Sequence, residues 1–166
     1  RMVEGGEDPL FIARRMLILA SEDIGNANPN ALLMATTTMQ AAQMIGWPES
    51  RIILSQCAIY LACSPKSNAS YVAINEAQDA VKRTGDLSVP IHLRNAPTKL
   101  MREIGYGKGY QYSHDSPGHF NDQEFLPGEI RGIPFYHPGE NSKEQELAKY
   151  LDHVWGAKYK GPAGKG

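Results

Sequence analysis

Proline at the start of apolar runs with helical spacing is the feature that most constrains how this sequence folds. The proline ring fixes φ near its helical value, and the first turn of a helix has no use for the missing N–H, so proline suits that position. Glycine, which readily adopts positive φ, follows three of the runs. The sequence therefore predicts an all-α fold that opens with four helices. Their starts are Asp8-Pro9, Asn28-Pro29, Trp47-Pro48 and the capping pair Ser67-Asn68, and the terminating glycines are Gly25, Gly46 and Gly85.

The spacing of apolar residues predicts which helix faces are buried. The third run, ILSQCAIYLAC at 53–63, is apolar nearly all round and is typical of a helix at the centre of a bundle. In the fourth helix the apolar residues are predicted to face inward, with Asp79 and Arg83 paired outside. The predicted inward residues are Leu10, Ala13, Leu17, Ala20 and Ile24 in the first helix, Leu32, Leu33, Met39 and Ile45 in the second, and Tyr71, Ile74 and Val81 in the fourth.

The second half of the chain has a different texture. Residues 89–97 are predicted to be extended, TKLMREIG at 98–105 forms a short fifth helix, and Ser142 begins a last helix with a capping box to Gln145. Between them, residues 105–140 hold seven glycines and four prolines without helical period. Because this extension is also rich in tyrosine and phenylalanine, we expect it to be ordered. The predicted domain spans 8–157, and 158–166 is expected to be a flexible tail.

Charge excludes a strongly basic nucleic-acid binder, since the formal net charge is −1. A local excess of cations nevertheless occurs at 82–108, where only Asp86 and Glu103 oppose six basic residues. This basic stretch is either a surface for phosphates or an acidic partner, or a solvated face. Its members are Lys82, Arg83, Arg94, Lys99, Arg102 and Lys108.

Catalytic and cofactor motifs find little support. Gly107-Lys108 resembles the end of a P-loop, but Gly109 stands where the Mg²⁺-binding Ser or Thr belongs. Possible metal ligands are His114, Asp115 and His119, and they would suit a metal hydrolase. The residue spacings that are usual for zinc sites are missing, however. Cys57 and Cys63 are predicted to be buried, unreactive thiols of a reducing compartment. We therefore predict no catalytic residue, metal or cofactor, and no run approaches the length of a membrane span.

Two acids lie at an electrostatically unfavourable position. Glu22 and Asp23 fall in the last turn of the first helix, where the helix dipole disfavours negative charge. One interpretation is a structural charge network with Lys66 and Arg94. The other is simple solvation, with Asp23 capping the turn before Asn26.

Several long motifs in order resemble one family. They are GEDPLFIARRMLILASEDIG (6–25), IYLACSPKSNASYVA (59–73), VPIHLRNAPTKLMREIGYGKGYQYSHD (89–115) and FLPGEI (125–130). The family is the bacterial replication-associated recombination protein A, or MgsA, related to the eukaryotic Werner helicase-interacting protein. Its members are clamp-loader-like AAA+ ATPases that act on DNA at replication forks.

The resemblance implies a helical bundle like the clamp-loader collar, followed by the irregular extension and terminal helix. It implies a C-terminal, non-catalytic domain that holds a bacterial cytoplasmic ATPase in a homotetramer. The Walker motifs, ATP and Mg²⁺ would lie upstream, residues 1–7 would end the ATPase lid, and DNA and replication proteins would be the partners. The runner-up is a DNA-contacting module using the basic stretch. We expect the extension to supply the interface through Tyr106, Tyr110, Tyr112, Phe135 and Tyr136.

Overall fold

The computed structural model describes residues 1–159, and every regular element in that range is helical, which confirms the all-α prediction. A π-helical turn (20–24) and a 3-10 turn (25–27) follow the first helix. Short 3-10 turns are the regular structure of the extension. The six α-helices are α1 (Pro9–Leu19), α2 (Asn30–Ile45), α3 (Ser50–Ala62), α4 (Ala69–Thr84), α5 (Lys99–Glu103) and α6 (Ser142–Tyr159).

The chain divides into two compact units. The first consists of Arg1–Ala77 and Phe135–Ala148. The second consists of Gln78–Pro134 together with the described residues from Lys149 onward. Two predicted boundaries concern the ends of the chain. Residues 158 and 159 belong to α6 and not to a tail, whereas 160–166, the rest of the predicted tail, lie outside the described residues.

The predicted start of α1 is confirmed. The Asp8 carboxylate accepts a 2.9 Å hydrogen bond from the Leu10 N–H, and Pro9 occupies the first helical position. The helix ends through the π-helical turn at Gly25, whose φ of 49° is in the left-handed region. A Cβ at Gly25 would lie 3.0 Å from the Ser67 carbonyl oxygen, so glycine also permits this close approach.

The core of the first unit is built mainly from small side chains. Ala20, Ile24, Ala31, Ala35, Cys57 and Leu61 form the buried cluster where α1, α2 and α3 pack together. The predicted inward face of α2 is therefore wrong, since Leu32, Leu33 and Ile45 are exposed. Alanines allow helix axes to approach closely, so close packing selected the alanine face of α2 instead of its largest residues.

The prediction that α3 is a fully buried central helix is also wrong. Leu54 and Cys57 are buried on one side, but Ile52 and Ile59 on the other side are exposed. Cys63 is exposed as well, contrary to its predicted burial, and both cysteines are free thiols. For Cys57, burial raises the pKa and a contact with Thr38 opposes that shift.

Helix α4 turns its large apolar residues outward. Tyr71, Ile74 and Val81 are 47%, 54% and 64% exposed, whereas Ala80 is buried. The predicted inward face of α4 is therefore wrong. As in α2, an alanine is buried and the large apolar side chains are exposed. The predicted Asp79–Arg83 pair is replaced by a 2.9 Å contact between Asp79 and Lys82.

Rings from the extension pack on α6 in the second unit. Phe120 and Phe125 meet Trp155 edge-to-face, with ring centroids 4.7 and 6.2 Å apart. These contacts confirm that part of the extension is ordered by aromatic packing. Within residues 1–159, no helix is both long and apolar enough to cross a bilayer.

Candidate functional site

The exposed apolar side of α4 within the first unit, the α4 face, consists of Tyr71 and Ile74. The two residues are three apart, so they lie on one side of the helix. Asn75 and Glu76 are exposed on the adjoining surface of the helix. An amphipathic helix whose apolar side faces solvent presents the surface of a binding site.

A groove of about 410 Å³ lies beside Tyr71 in the first unit. Its remaining apolar walls come from Leu17 and Ile18 of α1 and from Leu32 of α2. Glu22, Ser21 and Ser70 supply the polar part of its rim. The groove is open, so an inserted apolar side chain would still meet water and the Glu22 carboxylate at its edge.

Sequence reasoning missed the principal buried polar centre, the Glu144 carboxylate. This side chain is fully buried and accepts hydrogen bonds from the Tyr136 hydroxyl (2.8 Å), the Asn141 amide (2.6 Å) and the Gly139 N–H (3.2 Å). The Ser67 hydroxyl contacts it as well. Burial raises the pKa of Glu144, but the hydrogen bonds outweigh it, and the net pKa is lowered.

The donors around Glu144 come from separate parts of the first unit. Tyr136 and Gly139 lie on the segment before α6, Asn141 is the N-cap of α6, and Ser67 precedes α4. Burial and Glu144 raise the pKa of Tyr136 to about 12, although a contact with Asn26 opposes the shift. Glu144 therefore ties the segment before α6 to the loop before α4, which is a structural role.

The sequence did carry a signal for this centre. The predicted capping box began at Ser142, but the Glu144 N–H bonds to the Asn141 side chain at 3.0 Å, so the motif is Asn141-x-x-Glu144. Gln145, the predicted partner, instead donates to the Gly139 carbonyl at 2.9 Å. The capping box was placed one residue too late.

A second partly buried charge centre joins the extension to α6 in the second unit. Lys158 Nζ lies 3.3 Å from Glu124 Oε2, and both side chains are largely buried. Lys158 also donates to the Gln123 carbonyl and lies 4.7 Å from the Trp155 ring centroid. Burial raises the pKa of Glu124, but hydrogen bonds from the Leu126 and Phe125 N–H groups and the charge of Lys158 outweigh this effect. The net pKa of Glu124 is therefore lowered.

The basic stretch does not form one open cationic patch. Four of its residues contact groups of their own unit: Lys82 contacts Asp79 (2.9 Å), Lys99 contacts Glu103 (3.8 Å), Arg102 donates to the Thr98 carbonyl (3.4 Å), and Arg94 donates to the Val89 carbonyl (2.6 Å). Arg94 also donates to the Tyr106 hydroxyl at 3.1 Å. Arg83 and Lys108 are exposed, and neither forms an ion pair within residues 1–159.

The five aromatic residues predicted for the interface differ in their exposure and contacts. Tyr106 packs under the Arg94 guanidinium, and Tyr136 bonds to Glu144. Phe135 is partly buried, which leaves Tyr110 and Tyr112 as the exposed members. Two of the five therefore serve the packing of their own unit.

The predicted charge network is not assembled among the described residues. Glu22, Asp23 and Lys66 are exposed and form no ion pair there, and Arg94 is engaged by Val89 and Tyr106. Asp23 does order the neighbouring loop, but through its backbone. Its carbonyl accepts a 2.8 Å hydrogen bond from the Ser67 N–H, while the side chain is exposed.

His114 and His119 lie with their rings 5.1 Å apart, and Tyr112 lies 5.1 Å from His114. Asp115 follows in the same 3-10 turn as His114. No group of three or more metal-ligating side chains occurs in the described part of the chain. The arrangement is therefore a cluster of aromatic rings.

Comparisons with a family model and with individual proteins point to the same family. The model of the family described as MgsA AAA+ ATPase C terminal matches residues 1–155. The chain is 43% identical over 154 residues to replication-associated recombination protein A of Coxiella burnetii, covering 92% of this chain and 35% of that protein. The protein of the same name from Escherichia coli K12 is 41% identical over 152 residues, covering 91% of this chain and 34% of its own length.

A eukaryotic relative shows the same pattern. ATPase WRNIP1 of Dictyostelium discoideum is 43% identical over 141 residues, which are 82% of this chain and 16% of that protein. The chain thus spans about a third of the length of these bacterial relatives and less of the eukaryotic one.

Proposed function

This chain belongs to the MgsA AAA+ ATPase C-terminal family, and from that premise we propose that it is the assembly module of a replication and recombination ATPase. In this proposal it joins subunits into a homotetramer, the state that the sequence resemblance implies. It performs no catalysis itself. In this proposal the Walker motifs, with ATP and Mg²⁺, would lie in the two thirds or so of the bacterial relatives that the chain does not match. The proposed setting is the bacterial cytoplasm, with DNA bound by the intact ATPase.

The α4 face is the observation that carries this proposal. Tyr71 and Ile74 of the α4 face are 47% and 54% exposed, and covering the exposed half of each would stabilise the chain by about 1 kcal/mol per residue. A second copy that covers them would recover this free energy. Other helices of the first unit also expose apolar residues, including Leu33 of α2 and Ile59 of α3.

The same surface would suit a symmetric contact. In a twofold interface the same patch is used by both subunits, so an apolar helix face can pair with its own copy. The groove beside Tyr71 offers a recess for a side chain of the partner. This supports the α4 face over the extension as the main interface, because Tyr106 and Tyr136 are engaged within their own units.

The test is the solution mass of three variants. Ile74→Asp places a charge within the α4 face and should shift the assembly toward monomer. Asn75→Asp adds the same charge at the next exposed position of the helix and should leave the mass unchanged. Tyr110→Asp probes the extension, and monomer formation by this variant alone would assign the interface there.

Contact with DNA through the basic stretch is the less supported alternative. Four of its six residues bond to neighbours in their own unit, which leaves Arg83 and Lys108. Each phosphate contact on a single strand contributes a salt slope of about −0.7, so two cations predict weak binding with shallow salt dependence.

A further inference from the structure

The extension exposes a group of rings that the assembly role does not use. This ring cluster consists of Tyr112, His114 and His119, whose successive ring centroids are each 5.1 Å apart, with planes tilted by 51° and 58°. All three side chains are exposed, and Tyr112 is 55% exposed. In the same unit, Phe120 and Phe125 pack against Trp155. The extension therefore has one set of rings for packing and another that faces solvent.

A buried amide fixes the backbone that carries the ring cluster. The Asn121 side chain is buried and donates to the Gln111 carbonyl (3.1 Å) and to the Ser113 hydroxyl (3.0 Å). Gln123 accepts from the Gln111 N–H at 3.1 Å. These bonds bracket Tyr112 on both sides, so the ring is held on a tethered backbone and not on a loose loop.

The other end of the ring cluster has an unusual backbone. His119 has a φ of 56°, the left-handed region that a side chain other than glycine seldom adopts. Its N–H bonds to the Ser116 carbonyl at 3.0 Å, and Gly118 before it has a φ of 67°. The turn thus holds the imidazole beside His114 in a conformation that costs free energy. Such strain is typical of sites where position matters.

Preorganised, exposed rings suit a ligand with flat faces. Bases of single-stranded nucleic acids stack on tyrosine and histidine rings irrespective of sequence, whereas paired bases in a duplex have no free faces. Lys108, four residues before Tyr112, is exposed and is the cation nearest to the ring cluster in sequence. Asp115 within the cluster opposes phosphates, so stacking must supply most of the affinity.

We propose that the ring cluster is a stacking platform for two or three bases of a single-stranded nucleic acid. The site is held by Asn121 and by the turn at His119, and Lys108 provides its main phosphate contact. This proposal does not depend on self-association, since it uses neither the α4 face nor the groove.

The test measures fluorescence anisotropy of a labelled oligothymidylate of about twelve nucleotides, a length within the range of known single-strand sites. We expect a dissociation constant of about 10⁻⁴–10⁻⁶ M and a salt slope no steeper than about −1.5. Tyr112→Ala and His119→Gly should each weaken binding about tenfold. Glycine relieves the strained φ at 119, so its effect cannot be ascribed to misfolding. Tyr150→Ala removes an exposed tyrosine of α6 in the same unit and should bind like the unaltered chain.

Three outcomes would overturn the proposal. They are no binding at about 100 µM protein, equal binding by a duplex, or unchanged binding by both ring variants. Binding that survives both ring variants would assign the contact to the basic stretch instead of the rings, because two cations give a shallow salt slope of about −1.4 in either case. The assembly proposal fails separately, by a monomeric mass, so the two failures are distinguishable.

Discussion

The Tyr136 hydroxyl donates a 2.8 Å hydrogen bond to Glu144 Oε1, and the carboxylate that accepts it is fully buried. Its other bonds come from the amide of Asn141, the N–H of Gly139 and the hydroxyl of Ser67. A charged group held by four neutral donors is a demanding arrangement, because each donor would be left unsatisfied without it.

Glu144→Gln should therefore destabilise the chain by about 2–4 kcal/mol, although the shape of the side chain is kept. The amide turns an NH₂ group toward donors and removes the charge that strengthens their bonds. Urea unfolding at neutral pH measures the loss. Glu146→Gln is the control, since Glu146 is exposed and its change should be under about 1 kcal/mol.

The same variant carries a pH dependence. Because the pKa of Glu144 is lowered by folding, its contribution is present above the ordinary glutamate pKa of 4.5 and is lost as pH falls through the folded pKa. The difference in unfolding free energy between the unaltered chain and Glu144→Gln should thus shrink below that pH. A difference that stays constant down to pH 3, by the same linkage argument, would mean that the carboxylate is not held in its ionised form.

Tyr136 should ionise at a higher pH than an ordinary phenol. Burial and the neighbouring Glu144 raise its pKa to about 12 from the ordinary tyrosine value of 10.0. Its stabilising contribution is therefore present below pH 10 and is lost as pH rises through 12. Ultraviolet titration should show one phenol ionising late, and Tyr136→Phe should remove that step while Tyr110→Phe should not.

Gly139 should not tolerate a side chain. A Cβ there would lie 2.7 Å from Glu144 Oε2 and 3.4 Å from Asn141 Nδ2, both of which are fixed by hydrogen bonds. Gly139→Ala should cost about 1–3 kcal/mol in thermal or urea unfolding. Gly128→Ala is the matched control, because a Cβ there meets nothing within 4 Å. Equal stability of the two variants would contradict the geometry around Glu144.

The ion pair of Lys158 and Glu124 should contribute more to the free energy of unfolding than exposed ion pairs do. Lys158→Met leaves a largely buried carboxylate without its lysine partner and should cost about 2–4 kcal/mol, less than a fully buried case because Arg131 lies 3.4 Å away. Lys143→Met breaks an exposed pair with Glu146 and should cost under about 1 kcal/mol. Similar losses for both would show that the Lys158 pair is solvated.

The order of the helices could be predicted because its signals are local. Asp8 caps α1 with its carboxylate and Pro9 occupies the first helical position. Gly25 ends the π-helical turn, and each of these residues acts within one turn of the chain. The buried faces could not be predicted by hydrophobicity, because α2 buries Ala31 and Ala35 and exposes Leu33. Close packing of small residues is a property of helix pairs and is not visible in one helix.

The candidate sites show the same division. The sequence shows that the extension is rich in tyrosine, but it does not show which tyrosines are buried. Tyr136 bonds to Glu144 whereas Tyr112 is exposed, and this difference depends on contacts that only the fold creates. The charge network failed for a related reason. Asp23 reaches Ser67 through its backbone carbonyl, and side-chain charge gives no indication of such a bond.

The assembly role is best tested by the solution mass of the chain, measured by multi-angle light scattering. We expect a mass four times that of the monomer at micromolar concentration, a shift toward monomer for Ile74→Asp, and no shift for Asn75→Asp. A monodisperse monomer for the unaltered chain would contradict the assembly role, and an Ile74→Asp variant that stays tetrameric would contradict the α4 face as the interface.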